Sequence, residues 1–433
     1  MSLVVLSLLV IDYYILRSLY RLYFHPLSKI PGPPVAAMAS MSPIVRINPR
    51  EVHIIDPAMY DEIYAGNSRK RNKDPVFVSS FASPFLVIAT IDHDLHRARR
   101  SLLNPFFSKK AVTELSTVIQ EKITRLSWHL ERFYVDETVS ALHTVFVGLT
   151  GDTITHYLYG QDKGYLSDPD LTKRDFIWEL MFEGTNSCHL FRFLPSIPQL
   201  IKALPGRWMR LTRFKLAQVY ATQEQIAQQS RDASTSFILL VAGTETTASS
   251  LTFAVYQLLR DRGMFLKVRQ ELKQAMPTPR HEPKWSQLEQ LPYLTAIINE
   301  ALRLTPSESL QYKQYTILPG PPISTISYFI HRNPQLFPDP NTFRPERWIE
   351  AASRGENLTR YLVPFAGGSR ICIGMNLAYA ELYMTIASIV RRFDLELCDT
   401  NPEDMEFVRE KILQRPEKGV WTLKARVVGI VLE

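Results

Sequence analysis

Cysteine is scarce in this chain. Three in 433 residues, Cys188, Cys372 and Cys398, are widely spaced and odd in number. That usage argues against a disulfide framework, and no CxxC pair offers a zinc site. It fits a reducing compartment. Internal repeats of the kind that build solenoids are missing, as are low-complexity tracts and any flavin or nicotinamide fingerprint. The charge balance is basic, +7 overall. No zinc-finger, RNA-binding or basic-helix signature accompanies it, so nucleic acid is not the expected partner; an acidic membrane surface or an acidic protein is.

One apolar run stands at the N-terminus. MSLVVLSLLVIDYYIL, Met1 to Leu16, is broken only by Asp12 and small polar residues. As a helix it spans about 24 Å, short of the ~30 Å hydrocarbon core. Tyr13, Tyr14 and Tyr20 suit the interface, and Arg17 and Arg21 can snorkel. A secretory signal would carry its basic residue before the run and a small-residue cleavage site after it. Here the positive charges, Arg17, Arg21 and Lys29, follow the run, which places the remainder in the cytosol. HPLSKIPGPP then reads as a stiff hinge. The expected organisation is a membrane anchor over 1–20, a proline hinge over 21–43 and one large body over 44–433.

Length alone allows about three domains, yet no linker divides the body. IVRINPREVHII, from Ile44, alternates like short strands around an Asn-Pro turn. Helical patterns dominate from about Leu95 to Leu259. Tyr312 to Ile330 reads as strand around a proline-glycine turn, a helix follows Gly374 to near Phe393, and the C-terminus reads as strands. The expected class is mainly α with small β-sheets.

The question-raising stretch is PFAGGSRICIG, Pro364 to Gly374. A lone cysteine is usually an inert core group, but these surroundings ask for more. Gly367 and Gly368 allow a tight turn and close backbone approach. Gly374 lets the following helix start against a flat object. Cys372 falls at that helix's N-terminus, where free N–H groups and the dipole favour a negative sulfur. Arg370 can pair with a carboxylate, and Phe365 can cover the sulfur. A haem iron with an axial thiolate requires these features. The stretch resembles the haem-binding loop FxxGxRxCxG of the cytochrome P-450 monooxygenases at every fixed position.

Three further constellations extend the resemblance. Glu300 and Arg303 stand at i, i+3 on a helix; alone such a pair is an exposed ion pair of small consequence. FRPERW, Phe343 to Trp348, is similar to the family segment whose arginine, here Arg347, joins that pair and locks the cysteine loop. AGTETT, Ala242 to Thr247, lies within an expected helix over about Ser234–Arg260. Its glutamate and hydroxyls rule out a membrane span, and threonine hydroxyls can bond backward and open the helix. Gly243 offers space for a small ligand. By resemblance this segment, with Ala242 and Gly243, crosses the distal haem face; Thr246 contacts dioxygen and Glu245 relays protons. HRARRSLLNPFFS, from His96, is similar to the family helix whose Trp or His and later Arg meet the haem propionates; His96 and Arg100 take those places.

What the resemblance implies is a cytochrome P-450 fold holding haem b (iron protoporphyrin IX) through Cys372, with Phe365, Gly368, Arg370 and Gly374 around it. It implies monooxygenation of an apolar substrate with O2, electrons from NADPH through a flavoprotein reductase docked on the basic face of Arg97, Arg99, Lys109 and Lys110, and an endoplasmic reticulum membrane location. The pocket is expected from Pro75–Ala89, Phe182–Phe193, Ile238–Thr246 and residues after Leu304. The hinge and the His96 segment look like fungal members that oxidise terpenoids and other secondary metabolites. The chain is shorter than typical members, notably where LRLTPSES runs into LQYKQYTILPG. A catalytically impaired haem-binding relative, and an isomerase or dehydratase on the same fold, are therefore carried as alternatives.

Overall fold

Most of the chain that can be described is helix, and the caps say where helices begin. Asp92 accepts the Leu95 N–H and opens α1, His93–Ser101. Ser108 does the same through the Ala111 N–H for α2, Lys109–Glu114, and Asp261 through Met264 for α6, Arg262–Ala275. Side-chain oxygens at these positions satisfy N–H groups that have no partner within the helix. Between them run α3, Ser116–Val135, α4, Leu142–Tyr159, and α5, Arg231–Arg260. Later in the chain come α7, Pro292–Leu304, α8, Glu346–Ser353, and α9, Met375–Arg392. This computed structural model describes residues 44–48, 51–54, 56–64, 66, 70–79, 86–171, 231–304, 322–325, 327–406, 409–411, 413–416 and 421–432, with Asp12, Tyr13 and Leu16. The rest of the expected anchor, the hinge, Cys188 with the pocket segment 182–193, and 305–321 lie outside them. Among the described residues no helix is long and apolar enough to cross a membrane.

At the centre lies α4. Every residue from Leu142 to Thr155 except Thr144 is buried, as expected of a helix apolar on all sides. Its buried threonines keep their hydroxyls satisfied by bonding back four residues, Thr150 to Phe146 O, Thr153 to Leu149 O and Thr155 to Gly151 O. Helix α5 packs along α4, and α9 packs against α3, α5 and α6. One apolar cluster unites Ile119 and Leu126 of α3, Phe146 of α4, Leu251 of α5 and Ile386 of α9.

Among the described residues, three small sheets accompany this helical body. In the first, β1, Ile44–Asn48, and β2, Glu51–Ile54, pair antiparallel with Ile44 opposite Ile54. β3, Val139–Ala141, belongs to the second. β4, Ile323–Ser324, joins the first sheet parallel to β2. β5, Phe393–Leu397, and β3 flank β8, Lys424–Ile430. β6, Arg409–Lys411, and β7, Leu413–Arg415, form a hairpin. One sequence expectation fails here. Ser327–His331 is helix, not strand. Its β-prone residues are overruled by tertiary contacts: Arg332 stacks over the Tyr328 ring four residues back, and the His331 carbonyl is taken by Arg303.

The crossing of α4 and α5 explains Gly243. A Cβ there would stand 2.9 Å from Ile154 Cγ1. A side chain at 243 would therefore meet Ile154, and the small residue lets the helices approach. Gly243→Val should cost about 1–3 kcal/mol by overpacking, measured by chemical denaturation. Adding Ile154→Ala should recover part of that loss, and strict additivity would contradict the packing argument.

Candidate active site

Glu300 of α7 is completely buried, as is Arg303 one turn on; Arg347 of α8 is 4% exposed. Arg303 grips the carboxylate with two nitrogens, at 2.9 and 2.7 Å, and Arg347 Nε donates to it at 3.0 Å. Two donors that the sequence did not announce complete the shell: Trp348 Nε1 at 2.9 Å and the Arg344 backbone N–H at 2.9 Å. The arginines' remaining nitrogens donate to the carbonyls of His331, Pro338, Pro340 and Thr342. Buried charge is tolerated because nearly every polar atom is used. The result ties α7 and α8 to the strap 331–342.

That strap reaches the cysteine loop through His331. Burial and the nearby Arg303 push its pKa down to about 3, so the ring is neutral and its Nε2 accepts the Val363 N–H at 2.9 Å. Val363 immediately precedes the loop. There Ala366 and Gly368 take positive φ, 59° and 63°, and the chain folds back so that the Cys372 N–H meets Phe365 O at 2.8 Å. Such φ values suit glycine and strain alanine. Phe365 packs on Tyr379 of α9. Arg100 Nη1 donates to Ile371 O at 2.5 Å. Burial raises the Cys372 thiol pKa, while the Gly374 N–H and the Arg100 charge act the other way.

Cys372 opens onto a cavity of about 620 Å³. Ala242, Gly243, Thr246 and Thr247 of α5 line it, with the apolar Val87, Ile88, Leu239 and Leu302. Phe365, Arg370 and Gly374 line it too; Gly368 shapes the loop behind. Thr246 is exposed and its hydroxyl donates to Ala242 O at 2.8 Å. α5 stays α-helical throughout, so the local opening expected from AGTETT is not seen. Glu245 is not among the cavity-lining residues. One residue is a 100° turn of the helix, and its buried carboxylate faces α4, with Oε1 3.5 Å from His143 Nε2. Of the lining expected from Ile238–Thr246, Leu239, Ala242, Gly243 and Thr246 reach the cavity and Glu245 does not.

The other end of the cavity is cationic. His96, Arg100 and Arg370 converge there as the sequence suggested, and Lys73 joins them. Arg370 donates to the carbonyls of Thr90 and Ile91, both at 2.9 Å, leaving its buried Nε without a partner. His96 Nδ1 is likewise buried and unpartnered. Burial first, then Arg370, holds the His96 pKa down to about 4 and that of Lys73 to about 8. Lys73 was invisible in the sequence because it sits in the basic run KRNK with no spacing signal. A second omission is Glu381 of α9, buried on the cavity wall.

The family description Cytochrome P450 matches residues 221–423. The chain is 37% identical to the cytochrome P450 monooxygenase aflU of Aspergillus parasiticus, with 96% of each chain covered. The chain belongs to the cytochrome P-450 family. It is 34% identical to the conidiogenone synthase PchP450 of Penicillium rubens, over 90% of this chain and 92% of that one. Among solved structures, the cytochrome P450DA heme domain superposes with a TM-score of 0.69 at 18% identity, covering 92% of this chain and 96% of that one, which shows the shared fold. P-450 membership makes this chain a monooxygenase and implies a haem-thiolate centre, dioxygen and a reductase partner. The alignment with aflU runs over 483 positions, more than the 433 residues present here, so that relative carries residues this P-450 lacks.

Removing the central carboxylate leaves two buried guanidinium groups without their anion. Glu300→Ala should therefore destabilise the protein by about 3–5 kcal/mol, read from denaturant unfolding, and should lower the haem content of the purified protein. A loss below about 1 kcal/mol would mean that the lock does not hold the loop.

Proposed function

We propose that this P-450 is an active monooxygenase that inserts one atom of O2 into an apolar substrate, using haem b held by Cys372. The observation that carries this reading is the cavity, onto which a cysteine sulfur, a helix hydroxyl, three cationic side chains and the His96 ring all open. The donor set fits the group. Lys73, Arg100 and Arg370 supply positive charge, and Arg370 Nε and His96 Nδ1 are unsatisfied nitrogens suited to a pair of carboxylates. Haem held there through the Cys372 sulfur would supply oxygen activation, the thiolate's electron density favouring O–O cleavage.

The chain's own residues do the rest. Gly374 N–H and Arg100 favour the charged sulfur, while Phe365 shields it. His96, Arg100, Arg370 and Lys73 orient the prosthetic group by its acidic edge. Thr246, whose hydroxyl already donates to Ala242 O, keeps lone pairs that can accept a proton at Oγ1. Val87, Ile88, Leu239 and Leu302 exclude water and select an apolar substrate. The reaction consumes O2, two electrons and two protons; one oxygen atom enters the substrate and the other leaves as water. NADPH provides the electrons through a flavoprotein reductase on the basic face. Arg97 and Lys110 are exposed there, whereas Lys109 is paired with Glu289 and Arg99 donates to Thr90. The apolar N-terminal run holds the enzyme at the endoplasmic reticulum membrane. A terpenoid-like secondary metabolite is the substrate class we favour, by analogy with the fungal relatives.

A haem-binding chain without turnover is the second reading, motivated by the residues that aflU has and this chain lacks. Reduced-minus-CO difference spectroscopy addresses both. The wild type should give the thiolate-type Soret shift, and Cys372→Ala should abolish it. Reductase-driven NADPH consumption then separates the readings. An unshifted band in the wild type would overturn the assignment of Cys372.

A further inference from the structure

Gly367 stands where neither motif nor backbone asks for glycine. In FxxGxRxCxG its position is unconstrained. Its φ of −143° and ψ of 177° are extended backbone that any residue adopts, whereas Ala366 and Gly368 on either side hold positive φ. What excludes a side chain at 367 is Tyr60. A Cβ there would stand 2.9 Å from Tyr60 Cε1 and 3.5 Å from the tyrosine oxygen. The first distance is well inside the roughly 3.5–4.0 Å at which carbon atoms pack.

Tyr60 is 7% exposed and opens the short helix Tyr60–Ile63. Its ring centroid lies 4.8 Å from that of Tyr64, and the Tyr64 hydroxyl donates to Thr325 O at 2.6 Å. Thr325 directly follows β4, so this bond ties the helix to the first sheet. Arg360 and Asp61, 3.5 Å apart, add a contact between the same helix and the chain ahead of the loop; both are exposed, and such a pair contributes little. The Tyr60 ring is thus backed by Tyr64 and meets the cysteine loop at Gly367.

The loop needs a wall at this point. Alanine in the left-handed region is strained and stays there only when its surroundings hold it. Ahead of Ala366, the His331 ring accepts the Val363 N–H and Phe365 packs on Tyr379. Tyr60 holds the residue directly after Ala366, inside the turn that the Cys372 N–H closes on Phe365 O. We propose that Tyr60 is a positioning residue for Cys372: its ring forms the outer wall of the turn, and glycine at 367 is the partner that fits it. The proposal rests on the haem-thiolate reading above and adds a residue outside the loop motif. Tyr60 is not among the cavity-lining residues, so it acts on the sulfur only through the loop backbone.

The test reads the reduced CO complex of the holoenzyme, where iron with and without its thiolate gives separate Soret bands. A wild type lacking the thiolate band counts against the reading of Cys372 alone. Gly367→Ala should lower the ratio of thiolate to non-thiolate bands about 5- to 100-fold, the equilibrium equivalent of overpacking a tight site. Tyr60→Ala removes the wall; it should lower the ratio as well, and raise the iron reduction potential as the sulfur donates less. Tyr60→Phe keeps the ring and should match the wild type in both. The deciding variant combines Tyr60→Ala with Gly367→Ala. Its added methyl enters the space the ring has left, so its ratio should exceed that of Gly367→Ala alone, whereas two unrelated structural lesions would compound. The proposal is overturned if the double variant is no better than Gly367→Ala, or if Tyr60→Ala keeps the wild-type ratio and potential. Should Gly367→Ala fail to retain haem, regained haem in the double variant reads the same compensation, and Tyr60→Ala against Tyr60→Phe still decides the matter.

Discussion

A carboxylate with no access to water organises this structure. Glu300 accepts from two guanidinium groups, an indole and a backbone N–H, and the arginines spend their other donors on the carbonyls of one strap. Such a network is worth little as net stabilisation compared with a well-packed apolar core, because desolvation offsets most of the Coulomb gain. Its value is geometric. Bidentate forks tolerate little displacement, so helices α7 and α8 and the strap have one mutual arrangement. Through His331 and Val363 that arrangement passes to the turn carrying Cys372. Loop residues need a rigid support when they bind a group by one atom.

The cavity that results is chemically divided. A sulfur lies on one wall, cations crowd one end, and hydroxyls of α5 and apolar side chains form much of the remainder. Three cations and the neutral His96 share a partly buried end, and burial first, then the neighbouring charges, depress the His96 and Lys73 pKa values. The arrangement becomes favourable once an anion with two charges arrives. Binding the prosthetic group and relieving this repulsion are one event, so holding haem should stabilise the fold by linkage. Glu381, the one carboxyl among the described residues lining the cavity, is set apart from these cations, and burial raises its pKa.

Much of this was legible in the sequence, for reasons that differ by residue. Cys372, Phe365 and Gly368 stand out in the sequence because FxxGxRxCxG holds residue types at fixed spacing along one loop, and the structure brings Phe365 and Cys372 to the cavity. Glu300 and Arg303 were readable because i, i+3 positions meet on any helix, and Arg347 because FRPERW announces it. Glu245 misled for the opposite reason: AGTETT gives neighbours in sequence but not the rotational phase of the helix, and a 100° step turns its carboxylate toward α4. Gly243 has a second part that the sequence does not show: it lines the cavity, and its missing Cβ also lets α5 approach Ile154 of α4. Trp348, His331 and Lys73 were beyond reach because their partners come from remote segments. Ser327–His331 was read as strand on propensity, which contact with Arg303 and the stacking of Arg332 override. Glu381 left a trace only as a charge on the otherwise apolar face of α9, between Ala380 and Leu382.

The central claim is that this framework exists to present the Cys372 sulfur to iron. X-ray absorption at the iron edge of the purified protein measures that contact without reference to substrate or turnover. The account predicts one sulfur scatterer in the first coordination shell alongside the porphyrin nitrogens. A shell containing only nitrogen and oxygen would contradict it.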